Sequence, residues 1–108
     1  MSVFEKAKEL ALEIKQSREY QEVRRTGQDI RNNDEARQIV EDIQTIQAQI
    51  EFAQNTGMQP SEEQIEEFNA ITAKMQDNSL IQAYLKAQED YSRLMQQVNN
   101  SISEEINR

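Results

Sequence analysis

Between residues 36 and 53 the apolar side chains keep a register that only a helix can use. Ala36, Ile39, Ile43, Ile46, Ile50 and Ala53 follow one another at spacings of 3, 4, 3, 4 and 3. An α-helix turns once every ~3.6 residues, so this pattern gathers all six on one face. A strand needs alternation with period two, and no segment of the chain alternates long enough to make one. The seam is also long. A helix of about 20 residues spans roughly 30 Å, whereas a compact globule of ~100 residues has a radius of gyration near 13 Å. Isoleucine at both core positions of the repeat disfavours a simple two-stranded coil and suits three or more helices meeting.

Caps and breakers divide the rest of the chain around this seam. Ser2 with Glu5 forms a capping-box pattern ahead of Val3, Ala7, Leu10 and Ile14. Ser17 reads as the next N-cap, before Tyr20, Val23, Gly27 and Ile30. Asn32, Asn33, Asp34 and Glu35 supply caps and first-turn acids for the seam helix. The one clear loop is Asn55-Thr56-Gly57-Met58-Gln59-Pro60, where Gly57 suits a helix end and Pro60 precedes a new start. Ser61 and Gln64 repeat the capping pattern before Ile65, Phe68, Thr72 and Met75. After Asp77-Asn78-Ser79, a last helix carries Leu80, Tyr84, Ala87, Tyr91, Leu94 and Val98, with Ile81, Leu85, Met95, Ile102 and Ile106 on a second strip beside them.

The expectation is therefore an all-α single domain, with helices at roughly 3–16, 18–31, 34–54, 62–76 and 79–106. We expect an elongated bundle with two long helices whose core is completed by self-association. An extended monomer with frayed ends is the alternative. The expected self-association or partner face is Ile39, Ile43, Ile46, Ile50, Tyr84, Tyr91, Leu94, Val98 and Ile102. Tyrosine joins a large apolar area to one hydroxyl, a combination favoured at interfaces. Tyr84 and Tyr91 serve equally well as ordinary core with the hydroxyls at its rim.

Composition closes most enzyme chemistries. The 108 residues include no His, Cys or Trp, two Gly and one Pro. Without Cys there is no disulfide framework, thiolate nucleophile or sulfur-ligated zinc. Without His there is no imidazole base and no nucleophile–His arrangement. The two glycines stand thirty residues apart and build no phosphate-cradling loop. Leu, Ile, Val and Phe total 23, near the level of about a fifth at which disorder becomes a serious reading. The sustained helical register argues against disorder. No run approaches the ~18 apolar residues of a membrane span, and the N-terminal residues lack the apolar core of a signal peptide. We expect a cytoplasmic protein with no membrane insertion.

Charge narrows the partners. Residues 1–37 balance eight acids with eight bases, and residues 38–108 carry the whole net charge of −8. Arg18, Arg24, Arg25 and Arg31 would suit phosphates, but Glu19, Glu22, Asp29 and Asp34 are interspersed and the net field repels polyanions. No direct nucleic-acid binding is expected. Glu62, Glu63, Glu66 and Glu67 have a spacing that carboxylate metal sites use, yet di-iron bundles add a His three residues after a Glu. A solvated helix face is the plainer reading, and no metal or other cofactor is expected.

The capped segments also resemble a family. Ala7, Leu10 and Ile14, Ser17-Arg18-Glu19-Tyr20, Asp34-Glu35-Ala36, the loop Gly57 to Glu63, Asn78 to Tyr84, and the closing Leu94, Val98, Ile102 and Ile106 are similar to the YlbF/YmcA (Com_YlbF) family of small bacterial helical proteins, nearest its cysteine-free YheA-like branch. The resemblance covers nearly the full chain, through caps and apolar spacings. It implies an all-α, homo-oligomeric, non-catalytic regulator, joined with related helical proteins in modulating a membrane-anchored endoribonuclease and so RNA processing, competence, sporulation and biofilm. Some relatives hold an iron–sulfur cluster through cysteines; a chain without Cys does not inherit that cofactor. WXG100-type helical hairpins are also short and acidic, but this chain has no Trp and its caps give five segments. The expected function is that of a regulatory adaptor acting through helix-face contacts with itself and other helical proteins. A structural or holdase-like role is the alternative.

Overall fold

The computed structural model describes residues 2–108, and among them there are five α-helices and no strand. They are α1 (Val3–Gln16), α2 (Arg18–Arg31), α3 (Asp34–Asn55), α4 (Glu62–Asp77) and α5 (Ser79–Ile106). Local chemistry sets each boundary. Ser17 serves two helices at once: its Oγ donates to the Ile14 carbonyl (2.6 Å) and accepts from the Tyr20 N–H (3.1 Å), closing α1 and opening α2. Asn33 Oδ1 accepts from the Ala36 N–H at 2.9 Å to start α3. Asn78 Oδ1 takes both the Leu80 and Ile81 N–H groups at 3.1 Å to start α5. Ser61 and Gln64 form the full reciprocal capping box, at 3.1 and 3.0 Å. At Ser2 only the hydroxyl half forms, accepting from the Glu5 N–H at 3.1 Å.

The end of α3 is a Schellman motif. Gly57 takes φ +77°, a left-handed conformation that costs a residue with a Cβ ~1–2 kcal/mol. The Met58 N–H donates back to the Ala53 carbonyl (2.8 Å), and the Gly57 N–H donates to Gln54 (3.2 Å). These bonds occupy carbonyls that the helix end would otherwise leave open.

Contacts divide the chain into two compact units. One runs to Gln28 and resumes from Ala83 to Arg108; the other is Asp29–Gln82. In the second unit α3 and α4 pack against each other as a helical hairpin, with Ala36, Ile39, Ile43 and Ile46 of α3 and Ile71 of α4 buried. Ile30 and Ile81 are buried in the same unit. Burial fades toward the hairpin tip, since Ile50 and Ala53 are only half-covered and Phe52 is exposed.

The first unit has a thinner interior. Its buried residues are Thr26 and Ala87, both small. The Thr26 hydroxyl is satisfied locally by the Glu22 carbonyl at 2.6 Å, so its burial leaves no orphan. Tyr20 and Tyr91 face each other with ring centroids 6.0 Å apart and planes tilted by 56°, an attractive aromatic geometry. α1 buries no residue at all; Leu10 and Ile14 are half-covered, and Val3, Phe4 and Leu12 are exposed.

Candidate functional site

With no His or Cys in the chain, any candidate for chemistry rests on carboxylates, hydroxyls and amines. No group of three acidic side chains among the described residues converges to hold a metal ion. Glu62, Glu63, Glu66 and Glu67 all lie exposed on α4. No helix is long and apolar enough to cross a membrane. Among the described residues, Glu22 has a shifted titration. Its carboxylate is held below the usual range chiefly by the Arg25 guanidinium, which donates to it twice, at 2.8 and 3.2 Å. Such an exposed pair three residues apart on one helix is an ordinary surface interaction.

What the molecule does offer is apolar surface without cover. At the hairpin tip the Schellman turn brings Met58 back toward Ala53, and the two share a groove with Thr45, Ala48, Gln49 and Phe52. The groove encloses about 670 Å³ and is completed by Thr56, Gln59, Ser61 and Gln64. Phe52 is 70 % exposed and Met58 66 %. A second, smaller groove of about 420 Å³ lies between Ile50 and Phe68, with Gln47, Glu51 and Gln54 at its sides. Scattered apolar residues are normal on a surface, but contiguous ones mark interaction sites.

The residues expected to form a partner face fall into three groups. Ile39, Ile43 and Ile46 are buried by the chain itself, Ile46 to 1 % exposure, and so form the hairpin's own core instead of an open face. Physically, α4 packs on α3 and supplies the neighbour the seam requires. Ile50, Tyr84, Tyr91, Leu94 and Val98 are half-buried. Tyr91 meets Tyr20, and the Tyr84 hydroxyl accepts from Gln88 Nε2 at 2.8 Å. Ile102 is exposed, as is every residue after Val98. Seam reasoning missed Phe4, Leu12, Phe52 and Met58. A signal was present: each is a large apolar residue out of register with its helix's seam or in the loop beyond it, which is where a side chain escapes the core.

Comparison with known proteins finds one family over nearly the full length of the chain. The family described as "Control of competence regulator ComK, YlbF/YmcA" matches residues 3–107. A UPF0342 protein of Desulfitobacterium hafniense (strain Y51) is 31 % identical over 104 residues, which are 96 % of this chain and 79 % of that protein. A UPF0342 protein of Leuconostoc citreum (strain KM20) is 26 % identical over 106 residues, 98 % and 90 % of the two chains. A third, from Streptococcus uberis, is 27 % identical over 100 residues, covering 93 % and 89 %. The match spans all five helices, and the chain belongs to the YlbF/YmcA (Com_YlbF) family, a family of regulators.

Proposed function

We propose that this chain is a non-catalytic regulatory adaptor that works by docking helix faces, on a second copy of itself and on other helical proteins. The observation that carries the reading is the pair of exposed aromatics, Phe4 on α1 and Phe52 at the hairpin tip, each beside further uncovered apolar side chains. Burying apolar area is worth ~25 cal/mol per Å², so such surfaces favour a partner over water. The family's description as control of a competence regulator supports a regulatory setting, with RNA processing and development as its proposed field. The absence of Cys removes the usual cluster ligands from any complex the chain joins.

Light scattering on the purified protein tests the reading. A defined oligomer at micromolar concentration is the expected result, and a strictly monomeric solution overturns the self-docking part of it. The same uncovered side chains favour a second reading, a holdase that shields client surfaces without choosing among them. Affinity purification from the native host separates the two. An adaptor retains one or a few stoichiometric helical proteins, whereas a holdase suppresses aggregation of unrelated clients and retains none.

A further inference from the structure

We propose that the surface occupying the Phe52–Met58 groove is α1 of a second copy of this chain, docked through its Phe4–Leu12 face. This rests on the self-docking reading above and names the two surfaces that meet. α1 carries two different stripes. Leu10 and Ile14 are half-covered within their own unit. Phe4, Lys8, Ala11, Leu12 and Lys15 stand at i, i+4, i+7, i+8 and i+11, which places them on a separate face, and all five are exposed. Phe4 is 78 % exposed. Glu5 borders that stripe, three residues before Lys8 and seven before Leu12, while Glu9 and Glu13 turn away from it, so lysines outnumber acids on this face. Lys6 is tied to Glu9 at 3.2 Å, but Lys8 and Lys15 make no ion pair among the described residues. The face is apolar and cationic together.

The groove's own lining is uncharged, but the hairpin that carries it has the opposite sign. Residues 34–77 contain ten acids and two bases, which accounts for the whole excess of eight negative charges. Glu41 stands four residues before the groove-lining Thr45, and Glu67 three after the groove-lining Gln64, so both flank it on helix faces. Neither makes an ion pair among the described residues. Ala48, Phe52, Ala53 and Met58 give the groove an apolar floor. A helix with Phe4 and Leu12 about two turns apart and Lys8 and Lys15 beside them matches both the floor and the rim. Hairpin against hairpin would set two strongly acidic surfaces together, which charge repulsion opposes. The tail of α5 has exposed Ile102 and Ile106 but carries Glu104 and Glu105 beside them. Charge thus selects α1 as the occupant.

A charge-swap experiment tests the assignment. One variant carries Lys8→Glu and Lys15→Glu; the other carries Glu41→Lys and Glu67→Lys. Circular dichroism melts verify that each remains folded. Light scattering should show each variant alone with self-association weakened roughly tenfold or more, and an equimolar mixture restored to the wild-type mass, because opposite charges again face each other. If the wild type self-associates while the variants do so equally well, or the mixture stays monomeric, this assignment falls and self-docking stands. If the wild type is itself monomeric, both fall. Should a variant fail to fold, the cysteine-free chain allows a second measurement. Ala11→Cys and Ala48→Cys proteins mixed under mild oxidation should form a mixed disulfide between copies, and its absence alongside a wild-type oligomer overturns the assignment.

Discussion

At Gly57 a single atom decides where α3 stops. The φ of +77° lies where a Cβ meets its own backbone, and beyond the two neighbours in the chain no atom lies within 4 Å of where that Cβ would stand. Gly57→Ala should therefore cost ~1–2 kcal/mol from conformation alone, read as a fall in Tm with the fold intact. Glu22 makes a different residue-scale prediction. Its folded pKa is depressed chiefly by the Arg25 hydrogen bonds, which outweigh an opposing effect of desolvation, and the charges of Arg25 and then Arg18 add less. A depressed carboxylate contributes stability above its unfolded pKa, about 4.3, and loses it as pH falls through the folded value. Glu22→Gln should thus be less stable than the wild type near about pH 7, with the difference shrinking as pH falls below about 4, measured by urea midpoints across that range. Both effects belong to one residue and its immediate neighbours.

At the scale of the helix, polar side chains at the junctions do more than the charged faces. The ion pairs Lys6–Glu9, Arg37–Asp34, Arg93–Glu89 and Arg108–Glu105 all join residues three or four apart on the surface, where such pairs contribute only a few tenths of a kcal/mol. Asn78, by contrast, holds two N–H groups at the start of α5 while standing at the end of α4. Asn78→Ala should cost ~1 kcal/mol or somewhat more, seen as a lower urea midpoint with the helical signal retained in the native baseline. These junction residues were legible in the sequence because capping is local: Ser17, Asn33, Ser61 and Asn78 each bond to a backbone group two or three residues away. The Ser2–Glu5 pattern was legible only in half, since a carboxylate in the first exposed turn gains little by reaching back when water is available.

At the scale of the molecule, the self-docking proposed above rests on the distribution of charge and of uncovered apolar area. In the proposed self-docking the hairpin's acids attract the lysines of α1 across copies, and salt screens such exposed charges with a Debye length of about 10 Å at 0.1 M. Repeating the light-scattering measurement at high sodium chloride should therefore shift the wild type toward smaller species. An association held by apolar contact alone would not weaken.

Periodicity and caps, taken from the chain itself, determined that the molecule is helical, that it has five helices, and where each begins, because those properties depend on neighbours within one turn. What covers each apolar face was decided only by tertiary structure. Ile39, Ile43 and Ile46 lie at the same spacings as the Val3, Ala7, Leu10 and Ile14 row, yet the first set is buried and no residue of the second is. Spacing fixes which side of a helix is apolar. Only the placing of a second helix, as α4 is placed on α3, determines whether water or the chain itself meets that side.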